Sequence, residues 1–383
     1  MNSRNEFYSF TPSAVDQALH PLHVDVRGIH TQTIKGGFDL GNYALKMVTA
    51  HGKRRIVNAI KEVAVEHVRS KLSEDESLED ALDILINCPD FPELHGRRFF
   101  VGPLAMNEGE HDISPQTQKA TNPLILVPLL AGLALQATAD GQELLVHGYA
   151  GLPMAEYLQP ALKEEYRNRL NKKYEVQFVS TSGREGWKIT IHLALEVTPE
   201  GMAAVLRQAQ KRNELHKHFA RAVCDIGMFS TDIAVLDEKF RPIASLCRGH
   251  QFGVAAALDG IRQQIKQEYR VAYPRQIIDH ILIHKNGMMR LGKQEIDIKP
   301  IAEKHFRPIA SQIGQSVMEI LEAPRGSEIA ELYFLGGGSN HYAPYLRELQ
   351  ERTYTEMIFQ TKPETDDLLF ENAQAFYGLA MSR

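Results

Sequence analysis

The chain has 383 residues, 43% of them hydrophobic, which is enough apolar material for a large core and suggests two domains. Against 48 acidic residues stand 43 basic ones, and the formal charge of -5 gives no general pull toward nucleic acid or an anionic membrane. Cys88, Cys224 and Cys247 are odd in number, far apart and without a C-x-x-C pair, which speaks against a disulfide framework or a zinc knuckle. The opening stretch lacks the continuous apolar core of a signal peptide, and the run "PLILVPLLAGLALQA" is too short to span a bilayer. A cytoplasmic protein is expected.

Residues 1–35 carry Pro12, Pro21 and three histidines with little periodicity, and read as an extension outside the fold. From there "GGFDLG", "YALKMVTA" and "RRFFVG" look like strands, and "NPLILVPLLAGLALQAT" like a buried helix. "ELLVHGYAGLP" predicts a strand, "MAEYLQPALKEEYRNRLNKKY" an amphipathic helix, and "EVQFVS" and "WKITIHLALEV" two more strands. In "TPEGMAAVLRQAQKRNEL", Thr198 can cap a helix with Pro199 at its first position and Glu200 in its first turn. The second half repeats the plan, with "ARAVCDIGMFSTDIAVLD" matching "GGFDLGNYALKMV" as two β runs around a polar turn. Helices follow at 253–269, 274–284 and 300–322, then strand "AELYFL", a triple glycine, helix "YAPYLRELQER" and a last helix near 367–381.

Three turns carry candidate chemistry: "DLGNYALK" (39–46), "DIGMFSTD" (225–232) and "LGGGSN" (335–340). A phosphate needs backbone N–H groups at close range, which glycine permits, and a phosphate-bridging magnesium ion needs carboxylates reaching its waters. Asp39 and Asp225, each ending a first strand, suit the second role, while Lys46 can point back at the phosphates. A single D-x-G turn is more often an ordinary hairpin. Two of them followed in order by Gly336, Gly337 and Gly338 favour the functional reading.

That order resembles the actin, Hsp70 and hexokinase superfamily, and within it the bacterial actin-like proteins of the ParM (StbA) plasmid-segregation group. "GLPMAEYL", "VTPEGMAAVL", "RGHQFGVAAALDGI", "IDHILIHKNG" and "LYFLGGGSNHYAPYL" fall where that group has similar segments, from about residue 37 onward. The resemblance implies an α/β actin-like (ribonuclease H-like) fold of duplicated domains flanking a nucleotide cleft. Its domain I would span 36–222, with subdomain IB within about 51–118. Domain II would span 223–365, with subdomain IIB within about 246–304, and a C-terminal helix at 366–383 would return to domain I.

Carried over, it implies that Asp39 and Asp225 hold Mg²⁺ through water, and that Gly41, Asn42, Tyr43 and Lys46 bind the phosphates of ATP or GTP. Gly227, Met228, Ser230 and Thr231 would form the opposite hairpin, and Gly336, Gly337, Gly338 and Ser339 would pack on adenosine. Glu200 would orient the attacking water. Relatives often have glycine where this chain has Met228, and a left-handed Met228 would cost roughly 1–2 kcal/mol. The implied function is a filament-forming nucleotide phosphohydrolase that moves plasmid DNA through a DNA-bound adaptor of ParR type, itself touching neither DNA nor membrane. A non-polymerising ATPase, a small-molecule kinase on the same fold and a non-hydrolysing scaffold are the alternatives.

Other patterns are weaker. "GMMRLGKQ" lacks the final Ser or Thr of a phosphate loop and reads as a surface hairpin. His280 and His284 are four apart but lack the surroundings of a metal site.

Overall fold

A computed structural model describes residues 23–24, 30–67, 82–107, 118–181, 183–214, 216–359 and 369–382. The chain divides into two compact units. The first comprises the described residues up to Leu152, with Gln159–Thr198 and the chain from Asn372 onward; the second comprises Pro153–Leu158 and Pro199–Glu371.

The strands of the first unit are β1 (His23–Val24), β2 (His30–Leu40), β3 (Ala44–Thr49), β4 (Gly52–Val57), β5 (Ile60–Val63), β6 (Leu82–Asn87), β7 (Arg97–Val101), β8 (Glu143–Leu152), β9 (Lys173–Phe178) and β10 (Lys188–Pro199). They form one sheet in the order β4-β3-β2-β8-β10-β9-β6-β7-β5, with β1 paired to the start of β2. β2 runs parallel to β8 and antiparallel to β3, so a hairpin and a parallel strand flank it.

β2 begins at His30, six residues before the expected start of the first domain at 36, because Thr31–Lys35 pair in register with Glu143–His147. Apolar alternation misses this stretch, since Gln32 is held by hydrogen bonds from Gln142 (3.0 Å) and to His51 (2.7 Å). The rest of the predicted extension, apart from His23–Val24, lies outside the described residues. Helix Glu371–Met381 lies directly on β2: a Cβ on Gly37 would sit 2.1 Å from the Ala373 carbonyl oxygen and 2.2 Å from the Tyr377 amide nitrogen.

The buried helix is shorter than the apolar run that predicts it. Asn122 caps a 3₁₀ turn, Pro123–Ile125, through the Leu124 amide (3.1 Å), and α-helix Leu126–Ala134 follows, buried all round. The predicted amphipathic helix over 154–174 is two helices, Met154–Tyr157 and Pro160–Leu170. Pro160 has no amide to donate and holds Gln159 extended, which ends the first helix and starts the second.

The second unit holds β11 (Ala220–Ile226), β12 (Thr231–Leu236), β13 (Arg248–His250), β14 (Met288–Leu291), β15 (Gln294–Asp297), β16 (Ile329–Leu335) and β17 (Glu356–Phe359). Its main sheet runs β13-β12-β11-β16-β17, with β11 antiparallel to β12 and parallel to β16, the arrangement that β2 has with β3 and β8. Helices Val254–Tyr269, Arg275–His284 and Lys299–Glu322 fall within a residue or so of their predicted positions. Ile226, Ile233, Leu258, Ile261, Ile313 and Phe334 meet in a core between sheet and helices.

β14 and β15 form the surface hairpin expected of "GMMRLGKQ". The His280 and His284 rings lie 4.9 Å apart, and among the described residues no group of three or more side chains could hold a metal ion. No helix among those residues is long and apolar enough to cross a membrane.

Candidate functional site

In the first unit the β2–β3 register sets Asp39 opposite Lys46, so their side chains share one face of the sheet. Lys46 Nζ donates to Asp39 Oδ2 at 2.9 Å, which neutralises a carboxylate that is only 5% exposed. The connecting turn carries Gly41, Asn42 and Tyr43. Asn58, the residue just after β4, contacts it twice: its side-chain Nδ2 donates to the Gly41 carbonyl at 3.2 Å and its backbone N–H to the Tyr43 carbonyl at 2.9 Å. Arg55 lies over the Tyr43 ring at 5.5 Å.

In the second unit β11 and β12 pair Asp225 with Asp232 and Ile226 with Thr231. The Gly227 amide donates to the Ser230 carbonyl at 2.8 Å, which leaves Met228 and Phe229 at the tip. Met228 is not among the residues with positive φ, so the strain anticipated for a left-handed methionine does not arise. The Gly227 and Met228 carbonyls instead accept from the amides of Val254 (3.2 Å) and Ala255 (2.8 Å). These two amides open helix Val254–Tyr269 and would otherwise lack intrahelical partners. Thr231 Oγ1 donates to the Phe252 carbonyl at 2.8 Å. Arg275, held by both oxygens of Asp259 at 2.7 Å, lies 5.5 Å from the centre of the Phe229 ring.

The glycine turn after β16 is built against the same hairpin. Gly336 has φ +80°, and a Cβ there would lie 2.4 Å from Asp225 Oδ1 and 2.5 Å from the Ile226 carbonyl oxygen. The Gly338 amide donates to that carbonyl at 2.9 Å, and Ser339 Oγ donates to the Gly336 carbonyl at 2.8 Å. Asp225, Gly227, Thr231 and Gly336–Ser339 therefore belong to one continuous piece of structure. Gly337 is loosely surrounded, its nearest neighbour for a Cβ being Leu369 Cδ2 at 3.6 Å.

Glu200 departs from the sequence-based expectation of a first-turn helical residue. β10 continues through Pro199, Gly201 turns the chain at φ +78°, and the helix starts at Met202. Thr198 is therefore a buried strand residue, not a cap, and Glu200 sits in the turn between strand and helix. Asn58 and the paired amides of Val254 and Ala255 are missed by sequence reading. Their partners lie far along the chain, 17 residues away in the case of Asn58 and Gly41.

Residues 37–202 match the family described as actin-like proteins, N-terminal domain, and residues 223–348 match the archaeal actin homologue MreB-like family, C-terminal. The chain belongs to the actin-like proteins. Solved structures agree on the fold of this actin-like chain. Ta0583, an archaeal actin homologue, is 18% identical, with a TM-score of 0.69 over 91% of this chain and 100% of its own. Bacillus thuringiensis ParM with ATP is 19% identical, with a TM-score of 0.65 over 91% and 98%. ParM in a 15-stranded filament from Clostridium botulinum is 16% identical, with a TM-score of 0.67 over 92% and 100%. No curated protein is a significant match. The fold is that of the actin-like ATPases, an α/β architecture with two main sheets and their helices.

Proposed function

We propose that this actin-like protein binds and hydrolyses ATP or GTP with Mg²⁺ and polymerises in the cytoplasm into filaments that segregate plasmid DNA through a DNA-bound adaptor. The observation that carries the reading is the Asp39–Lys46 pair at 2.9 Å on the first hairpin, matched in the second unit by Asp225 packed against the Gly336 turn. Structures of Bacillus thuringiensis ParM with ATP and of Ta0583 with ADP support a nucleotide. The Clostridium botulinum filament supports self-assembly.

In this reading Lys46 and the amides of the Gly41–Tyr43 turn are phosphate-binding groups of the first unit, and the Gly227–Thr231 hairpin supplies phosphate-binding groups of the second. Gly336–Ser339 takes the nucleoside, and Glu200 orients the attacking water. Asp39 and Asp225 are each carboxylates of the kind that would hold the waters of a phosphate-bound Mg²⁺, and the ion would neutralise charge on the transferred group. Positioning and electrostatics dominate phosphoryl transfer, so these few groups suffice.

Right-angle light scattering and pelleting with ATP, GTP and ADP, run beside phosphate release, test the proposal. Nucleotide-dependent pelleting with turnover lost in Asp225→Asn is expected. Absence of assembly at high protein concentration with every nucleotide would refute the filament. Nucleoside diphosphate formation without assembly, dependent on a metabolite that takes up the phosphoryl group, would favour a small-molecule kinase.

A further inference from the structure

Both hairpins have their turn carbonyls taken from behind, and by different means. A trans peptide points the N–H of one residue opposite to the C=O of the residue before it. Fixing a carbonyl therefore aims the next amide. In the second hairpin the amides of Val254 and Ala255 fix the Gly227 and Met228 carbonyls, which turns the Met228 and Phe229 amides the opposite way. In the first hairpin the Gly41 carbonyl is fixed by a side chain, Asn58 Nδ2 at 3.2 Å, and the Asn58 amide fixes Tyr43 at 2.9 Å.

Asn58 is 4% exposed, and its Oδ1 is buried without a hydrogen-bond partner among the described residues. Burying an amide with an unpaired acceptor is unfavourable, and an apolar residue would not incur that penalty. The return is the hold on Gly41. We propose that Asn58 is a positioning residue for nucleotide binding: by holding the Gly41 carbonyl it presents the Asn42 backbone amide to a phosphate of a nucleoside di- or triphosphate. This rests on the nucleotide-binding reading given above. The role concerns the phosphate end of the ligand, because the Asn58 side chain and amide bond to the Gly41 and Tyr43 carbonyls of the turn assigned to phosphate.

Full-length wild type, Asn58→Asp and Asn58→Ala are titrated with ADP and adenosine, and in parallel with GDP and guanosine. Asn58→Asp keeps the size of the side chain but exchanges the donor for an acceptor facing a carbonyl. Diphosphate affinity is expected to fall about tenfold, the scale of one oriented hydrogen bond, with nucleoside affinity unchanged. Equal losses for diphosphate and nucleoside, or no loss, would overturn the assignment.

If neither variant folds, as judged by thermal melting, wild-type protein labelled with ¹⁵N-asparagine answers the same question. The Asn42 amide resonance is expected to shift with ADP and not with adenosine; a resonance unmoved by ADP refutes the proposal. Wild type that binds none of the four ligands defeats the nucleotide reading and this inference together. Wild type that binds them, with variants behaving identically, defeats Asn58 alone.

Discussion

Gly336 and Gly337 are adjacent, and the structure assigns them opposite sensitivities to a single methyl group. At Gly336 an alanine must adopt φ +80°, which costs roughly 1–2 kcal/mol for an L residue. Its Cβ would also lie 2.4 Å from Asp225 Oδ1 and 2.5 Å from the Ile226 carbonyl oxygen, closer than such atoms approach, and relieving that overlap adds about 1–3 kcal/mol. At Gly337 φ is ordinary and the nearest atom is 3.6 Å away, so alanine is tolerated, with a gain of about 0.4–1 kcal/mol from reduced unfolded-state entropy. Gly336→Ala is thus expected to lose about 2–5 kcal/mol and Gly337→Ala to lose nothing. Urea denaturation followed by far-ultraviolet circular dichroism, without nucleotide, measures both. Tryptophan fluorescence is unsuited, since the single tryptophan, Trp187, lies in the first unit and the glycines in the second. Relief of the overlap displaces the Asp225 carboxylate, so under the proposed function Gly336→Ala is also expected to slow phosphate release. Equal stability of the two variants would refute the account of this turn.

Other perturbations test separate parts of the molecule. Glu331→Ala removes the carboxylate paired with the wholly buried Arg221 at 3.1 Å and accepting from the Tyr333 hydroxyl at 2.7 Å. The expected loss is about 3 kcal/mol, at the low end for a broken buried pair because Arg221 keeps its bond to the Glu214 carbonyl and its contact with the Phe219 ring; a change below about 1 kcal/mol in the same denaturation assay would contradict it. Lys46→Ala is expected to weaken ADP binding at least about tenfold by calorimetry, since a charge-assisted phosphate contact contributes about 1.5–3 kcal/mol. Burial and the neighbouring Arg248 hold His250 below the usual histidine value of 6.5, against an opposing pull from Glu319, and burial with Lys304 does the same to His305. With folded values depressed, the unfolded chain binds the extra protons first, so stability is full above about pH 6.5 and falls as the pH drops through that value toward the folded values. A melting temperature that declines from about pH 7.5 to about pH 5.5, less steeply in His250→Gln, is the expected result; a flat profile would count against it.

What could be read from sequence and what could not divides by the range of the interaction. The Asp39–Lys46 pairing is fixed by an eight-residue hairpin, so residue types at the turn are enough to place it. Helices 254–269, 275–284 and 299–322 carry their own apolar periodicity and were legible for the same reason. Pro160 is local too, yet the amphipathic pattern on either side of it hides the break it makes. At Pro199 the local signal misleads, because a proline suits the end of a strand as well as the start of a helix, and only the positive φ of Gly201 decides between them.

Met228 shows the converse. Reading the hairpin alone, a tip that presents amides to a ligand calls for glycine, since free backbone torsion is the local way to aim an N–H. Here the start of a helix 27 residues downstream takes the carbonyls and does the aiming from outside the turn. A tip held in this manner has no need of left-handed backbone, so a methionine and a phenylalanine can occupy it without strain, and Phe229 becomes free to pack beneath Arg275. The bulky residues that make the hairpin look unlike a phosphate loop are consistent with one whose geometry is imposed by its neighbours.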